Sequence, residues 1–263
     1  MRRKSHRETL SLGSPDIGHH KERPEFSASR PGKHKSPLVV PDKRPTGTAA
    51  TLVVALRLSP GARKAPGPEP VSTRLNAELL LYAYAQGIFP MAEGSSERIY
   101  WYEPDPRAIF ELDAVHFPRR LLRTIRQGRF ELRYSTAFEG VIRACADRSS
   151  TWISEEIVRA YLQLSRLGYA HSVETWREGT LVGGLYGVAL GGAFFGESMF
   201  SREADASKVA FYYLVERLRE RSYALLDTQF TNKHLAQFNV VEVSRKEYRR
   251  RLKAALALKC RFL

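Results

Sequence analysis

Two adjoining stretches, Ala170-His-Ser-Val-Glu-Thr-Trp-Arg-Glu-Gly-Thr-Leu-Val-Gly-Gly-Leu-Tyr-Gly187 and Gly191-Gly-Ala-Phe-Phe-Gly-Glu-Ser-Met199, decide the fold. Residues 170–176 alternate apolar and polar, Glu178-Gly179 is a hairpin turn, and residues 181–187 and 193–199 continue as strands on either side of a second turn at Gly191-Gly192. The pattern predicts an antiparallel meander. Gly183, Gly184, Gly187, Gly191, Gly192 and Gly196 crowd this region. Glycine inside a strand marks a bulge, or the close approach of another backbone or a ligand.

Helical spacing flanks the meander on both sides. Residues 76–86 read as a helix with Asn76 or Thr73 as its cap and Gly87 just past its end. Pro118 opens a second helix that stops at Gly128, residues 130–134 alternate like a strand, and residues 137–146 return to helical spacing. Ser154 caps a helix to Leu167 with Glu155 and Glu156 in its first turn, where acidic side chains favour the positive end of the dipole. After the meander come a helix over 206–221, an apolar strand ending in Asp227-Thr228-Gln229, a short helix from Asn232, a strand over 240–243 and a capping box at Ser244-Arg-Lys-Glu247. A Pro/Gly-rich connection is predicted around Phe89-Pro90-Met91 and residues 100–107. This order indicates an α/β (α+β) protein: an acyl-CoA N-acyltransferase-like (GNAT-like) domain over 135–258, preceded by a small α/β domain over 71–134.

The remaining third of the chain has a different composition. Of 42 Lys+Arg and 28 Asp+Glu in 263 residues, net +14, residues 1–74 hold 15 and 6, a net of +9. The same segment carries 10 of the 14 prolines and a single aromatic, Phe26, so it cannot bury enough apolar surface to offset the entropy of ordering. A disordered basic extension is expected over 1–70, with one apolar patch at 51–58 that reads as a short element packing on the body. An RNA-binding arm would want stacking aromatics, which the segment lacks. The chain has no apolar run of about 18 residues and no apolar stretch behind Met1-Arg2-Arg3-Lys4, so neither a membrane span nor a secretory signal is expected, and the cytoplasm is the expected compartment. Two cysteines, Cys145 and Cys260, make neither a disulfide framework nor a four-thiolate zinc site.

Several chemistries are excluded by motif. The sequence has no G-x-G-x-x-G, no phosphate-binding loop ending in Gly-Lys-Ser/Thr and no H-E-x-x-H, and Gly196-Glu-Ser-Met199 is not the elbow of a serine hydrolase. His116, His171 and His234 stand apart without ligand-spaced partners and read as hydrogen-bonded structural histidines. Cys145, on an apolar helix face with Val141 and Ile142, reads as a small core residue. No metal and no cofactor are expected.

Eight blocks nevertheless occur in order: Gln86-Gly-Ile-Phe-Pro90, Trp101 with Pro104-Asp-Pro-Arg-Ala108, Thr151-Trp-Ile153, Gly168-Tyr-Ala-His-Ser-Val-Glu174, Leu181-Val-Gly-Gly-Leu-Tyr-Gly187, Phe195-Gly-Glu-Ser-Met-Phe-Ser-Arg202, Ala206-Ser-Lys208 and Leu226-Asp-Thr-Gln229. Together, from about residue 79 to 251, they closely resemble the leucyl/phenylalanyl-tRNA–protein transferases. The resemblance implies an aminoacyltransferase that takes Leu or Phe (a Met donor stays open) from aminoacyl-tRNA. It joins that residue by a peptide bond to an acceptor protein beginning with Lys or Arg, which marks the acceptor for degradation.

Aminoacyl-tRNA is already an activated ester, so such chemistry needs no ATP. The site must align an amine with the ester carbonyl, remove an amine proton and stabilise the oxyanion. Asp227 and Gln229, two apart at a strand end, share one face. By themselves they would pass for an ordinary strand-end pair; the resemblance makes them the catalytic pair, Asp227 polarising Gln229 and helping to deprotonate the amine, while Glu197 holds the aminoacyl end. It also implies an apolar side-chain pocket of Leu185, Phe194, Met199 and Leu226, stacking of the terminal adenosine on Trp101 and Trp152, and a substrate contact from Asn232. Two departures stand out: Met91 follows Phe89-Pro90 where a well-known form of the family has Trp, and Leu185 stands where that form has Met.

Arg119, Arg123 and Arg126 fall at i, i+4 and i+7, with Arg120 adjacent, and form a basic stripe read as the tRNA-binding surface. Arg245, Lys246, Arg249, Arg250, Arg251 and Lys253 form a second cluster, left open between RNA contact and a solvated face. A monomer is expected. Two rivals remain: an acyl-CoA-dependent N-acyltransferase, which would need a Q/R-x-x-G-x-G/A loop that does not occur, and a non-catalytic RNA-binding module, which would not need Asp227 and Gln229. Removal of residues 1–70 is expected to leave cooperative thermal unfolding and aminoacyl transfer largely intact, and loss of the cooperative transition in the shortened chain would show that the extension belongs to the folded body.

Overall fold

The computed structural model describes residues 74–93 and 98–263. The expected extension over 1–70, with its apolar patch at 51–58, lies outside the described residues. Helix α1 (Ala77–Ala85) begins at Asn76, whose side chain accepts from the Leu79 amide at 2.9 Å, and ends at Gly87 with φ +78°. Asn76 is thus the cap, and the left-handed turn that stops the helix falls on glycine. The connection that follows is more regular than its Pro and Gly content predicts. β1 (Phe89–Glu93) pairs antiparallel with β2 (Arg98–Tyr102), setting Pro90 opposite Trp101. In a two-stranded sheet both strands are edges, which is where a strand tolerates the missing proline donor.

After this hairpin come β3 (Arg107–Phe110), a 3-10 turn (Leu112–Ala114), α2 (Arg119–Arg126), β4 (Glu131–Tyr134), α3 (Phe138–Ala146), α4 (Glu155–Arg166), β5 (Ala170–Arg177) and β6 (Thr180–Leu190). They are followed by β7 (Ala193–Ser201), α5 (Ala206–Glu220), β8 (Leu225–Gln229), α6 (Lys233–Ala236), β9 (Val241–Val243) and α7 (Arg245–Leu256). Seven strands form one mixed sheet in the order β4-β5-β6-β7-β8-β3-β9. The predicted meander is its antiparallel β5-β6-β7 part. β7 and β8 pair in parallel, which requires a crossover, and α5 supplies it.

The boundary expected near residue 134 does not separate two sheets. β3 inserts between β8 and β9, antiparallel to both, and β4 edges the same sheet beside β5. All four residues of β3 are buried, so this short strand depends on neighbours from the far end of the chain.

Alternate residues of the central strands feed two cores. Tyr186, Val188, Phe195 and Phe200 join Tyr84, Ile142, Ile157, Tyr161 and Tyr248 in one cluster, which gathers α1, α3, α4 and α7. Leu185, Ala189 and Phe194 join Val209, Phe211, Leu214 and Leu218 of α5 in the other. A sheet covered on both faces needs apolar residues at successive positions, which is why β6 is buried from Val182 to Ala189. It also needs room. A Cβ on Gly183 would stand 2.5 Å from the Cβ of Ala206 and 2.8 Å from Thr175 Oγ1, because the start of α5 rests directly on β6. Gly183→Ala is therefore expected to destabilise the fold by about 1–3 kcal/mol, the usual range for overpacking, read as a lowered midpoint in chemical denaturation.

Candidate active site

The register of β7 and β8 builds the site. Their ladder runs Ala193↔Leu225, Phe194↔Leu226 and Phe195↔Asp227, and no pair joins them beyond that point. β7 continues to Ser201, still paired with β6, while β8 ends at Gln229 against β3. Past their last shared rung the two strands line a cavity of about 910 Å³, reached by Glu197 from one side and Gln229 from the other. This is a common consequence of sheet topology: ligands settle beyond the carboxyl ends of strands where neighbours part.

Glu197 is the centre of a hydrogen-bond network. Its Oε1 accepts from the Tyr84 hydroxyl at 2.6 Å and from Gln229 Nε2 at 3.2 Å, and the Tyr84 hydroxyl also meets that of Tyr161. Burial raises the Glu197 pKa to about 7, with the nearby Asp227 charge acting in the same direction, while hydrogen bonds from Tyr84 and Tyr161 and the Arg107 charge act against them. The carboxyl is thus set where it exchanges a proton near neutrality. Burial and the Glu197 charge together push both tyrosine hydroxyls well above their ordinary range, so they serve as donors.

Asp227 sits differently from its expected role. It is fully buried, and its contact with Gln229 is to the main chain: the Gln229 amide N–H donates to Oδ1 at 2.9 Å. The Gln229 side chain turns to Glu197, from a backbone with φ +61°. Opposite Asp227 lies Arg107, also without exposure, donating from Nε to Oδ1 at 2.9 Å and from Nη2 to Oδ2 at 2.7 Å. Burial opposes the Arg107 charge, but the Asp227 carboxylate outweighs it and holds the guanidinium above its ordinary pKa.

The expected pocket residues divide. Leu185, Met199, Leu226 and Trp152 line the cavity, as do Phe110, Phe211 and Leu214, which the sequence reading did not include. Asn232 lines it too, and caps α6 by accepting from the Leu235 amide at 2.9 Å. Phe194 does not line it: its ring is fully buried on the α5 side, stacked on Phe262 at 5.3 Å and pressed against Gly187. Trp101 does not line it either, since β2 packs it against the core behind the hairpin. Of the three histidines expected to be structural, His171 behaves so, whereas His234 lines the cavity with no hydrogen-bond partner at Nε2 among the described residues. His171 bridges Ser135 and the Gly168 carbonyl, stacks on Phe262 at 4.6 Å, and burial lowers its pKa to about 4. Among the described residues no group of three or more His, Cys, Asp or Glu is arranged to hold a metal ion. Nor is any described helix long and apolar enough to cross a membrane.

The profile of a family described as leucyl/phenylalanyl-tRNA protein transferase matches residues 109–253, and the profile of its N-terminal domain matches 73–105. A leucyl/phenylalanyl-tRNA–protein transferase of Gloeobacter violaceus is 74% identical over 188 residues, spanning 72% of this chain and 97% of its own. The chain belongs to this family. Transferases of the same description from Rubrobacter xylanophilus and Paramagnetospirillum magneticum are 59% and 57% identical, each over 70% of this chain and over 97% and 90% of their own lengths. In this transferase family's terms, Tyr84 falls in the N-terminal match, Glu197, Asp227 and Gln229 fall in the second, and Arg107 lies between the two.

Arg107, Tyr84, Tyr161 and Tyr248 are the site neighbours that sequence reasoning missed. Arg107 stood inside a quoted block, but a charged residue after two prolines reads as loop surface. The tyrosines sit at helical spacing on apolar faces and read as core. Tyr84→Phe removes a donor that favours the ionised form of Glu197, so the Glu197 midpoint is expected to rise above about 7. Carboxyl carbon NMR across a pH titration measures it, and an unmoved midpoint would remove Tyr84 from the network.

Proposed function

We propose that this protein transfers Leu or Phe from aminoacyl-tRNA to the amino terminus of acceptor proteins beginning with Lys or Arg, marking them for degradation. The observation that carries the reading is the meeting of Glu197 and Gln229 over a cavity with an apolar end, in a chain of this family. Phe110, Leu185, Phe211, Leu214 and Leu226 suit a large apolar side chain, while Trp152 and Met91 line the same cavity and suit the terminal adenosine. The acceptor amine forms a bond to the ester carbonyl carbon, and the ester C–O bond breaks. Glu197 takes the amine proton and returns it to the departing ribose oxygen, while the Gln229 amide, a donor at the same place, faces the developing oxyanion.

The charges on the molecule suit both substrates. Of the three acids that line the cavity, Asp227 is paired with Arg107 and Glu197 lies in the network; Asp147 is exposed and has no ion pair among the described residues. It is open to the side-chain cation of an incoming Lys or Arg. Arg119, Arg123 and Arg126 of α2 are exposed and, among the described residues, form no ion pair. The arginines of α7 are internally matched: Arg249 with Glu103, Arg250 with Glu247, Arg251 with Glu111 and Glu247, and Arg245 with Glu103 and Asp105. The stripe on α2 is the surface for RNA phosphates, and α7 is a solvated face.

The test is a transfer assay with Phe-tRNA or Leu-tRNA and a peptide beginning with Arg. Product is expected with charged tRNA and none with acetyl-CoA; the reverse would make the protein an acyl-CoA-dependent N-acyltransferase, and tRNA binding without product would make it an RNA-binding module. Replacing Arg119, Arg123 and Arg126 with Ala is expected to reduce the slope of log affinity against log salt by roughly 0.7–0.9 per lost contact, with Arg249→Ala and Arg250→Ala leaving it unchanged.

A further inference from the structure

The proposed reaction gives Asp227 no proton to carry, although it lies beside the reacting groups. Its surroundings explain why. A carboxylate offers about four lone-pair sites. Asp227 fills them with four donors: Oδ1 accepts from Arg107 Nε at 2.9 Å and the Gln229 amide at 2.9 Å, and Oδ2 accepts from Arg107 Nη2 at 2.7 Å and the Tyr248 hydroxyl at 2.6 Å. No acceptor site is left for an amine proton without breaking one of these bonds.

Arg107 is held at each of its three nitrogens. Its third donor group, Nη1, reaches the Gly87 carbonyl at 3.0 Å, and its guanidinium lies between the rings of Phe89 and Tyr248, at 4.9 and 4.5 Å from their centroids. Gly87 ends α1, the helix that aims Tyr84 at Glu197, and Asp227 precedes Gln229 by two residues on β8. One buried side chain therefore ties together the two elements whose tips converge on the same carboxylate oxygen.

Resting on the proposed transfer reaction, we infer that Arg107 is a positioning residue: it occupies Asp227 so that this carboxylate takes no part in proton transfer. Through the Asp227 carboxylate and the Gly87 carbonyl it sets Gln229 and Tyr84 at their distances from Glu197. The left-handed backbone of Gln229, a conformation that costs a non-glycine residue energy, is what the Asp227 bond to its amide secures.

The test measures single-turnover transfer across pH, with the donor KM, in the full-length protein and in Asp227→Asn, Arg107→Lys, Arg107→Met and Tyr248→Phe. Transfer by the wild-type chain establishes the reaction; the variants then judge the clamp alone. The three ion-pair variants are each expected to lose tenfold or more in rate and Tyr248→Phe severalfold, with donor KM within threefold. The acid limb of the profile is expected to survive in Asp227→Asn and to move to lower pH, because a negative charge near Glu197 is gone. In Arg107→Met it moves to higher pH, and in Arg107→Lys, where charge is kept and the fork is lost, it stays in place at reduced rate. A purely structural role does not move the limb in opposite directions for the two halves of one ion pair. Loss of the limb in Asp227→Asn would make Asp227 the base and overturn the inference. Should the ion-pair variants fail to fold, Tyr248→Phe, which keeps the ring on Arg107, decides alone: an unchanged rate overturns the clamp.

Discussion

The buried ion pair between Arg107 and Asp227 is the constraint on which the rest of the molecule depends. Taking both charges out of water costs several kcal/mol per ion, and their attraction offsets that only when geometry is good and the remaining donors are satisfied. The geometry is bidentate, each nitrogen of Arg107 has a partner and all four acceptor sites of Asp227 are used. Such a pair adds little net stability over a well-packed apolar substitute. What it adds is sensitivity to arrangement: removing either partner strands a buried charge at a cost of about 3–5 kcal/mol. The pair joins β3 to β8 and reaches α1 and α7, so those four elements share one acceptable arrangement.

In the proposed reaction the proton is carried by the neighbouring carboxyl, Glu197 on β7. Glu197 shares the neighbourhood but is held only by neutral donors, Tyr84 and Gln229 on Oε1 together with the Tyr161 hydroxyl. Desolvation raises its pKa to about 7 while the hydrogen bonds keep it from rising further. Two carboxylates in one sheet end thus take different roles by environment alone, one locked and one poised. For an ester already activated by attachment to tRNA, the proposed reaction asks of the protein only a poised base and an oriented amide beside the reacting carbonyl.

Much of this was legible in the sequence, and the gaps have physical causes. The caps at Asn76, Ser154 and Ser244 were visible because a side chain that accepts from an amide three residues on leaves a local signature, and all three do so. The meander was visible because turn residues punctuate it. β3 was not: four fully buried residues show no alternation, and a strand that pairs with residues 226–229 and 241–243 has no local partner to betray it. Phe194 was assigned to the pocket by the resemblance and Phe211 was not, and the residues alone could not correct this, because strand alternation tells which residues share a face but not which face opens on a cavity. Glu197, Asp227 and Gln229 were found by resemblance to a family, whereas the bond that distinguishes their roles comes from a residue 120 positions earlier.

The two basic helices make the same point about charge. Arg119, Arg123 and Arg126 recur at i, i+4 and i+7 on one and Arg249, Arg250 and Arg251 are consecutive on the other, and neither pattern tells whether an anion lies against it. Their difference lies in anions brought from elsewhere: Glu103 and Glu111 come from the segment around β3 and neutralise α7 across 146 and 140 residues. An arginine whose fork is already filled by a carboxylate must give up that partner before it can hold a phosphate, so its net gain on binding is small. An exposed arginine without a partner gives up only water and counterions, and the release of those counterions is itself the driving force for binding a polyanion. Position in the fold, rather than density of positive charge, is therefore what favours α2 over α7 in the proposed assignment of the RNA-phosphate surface.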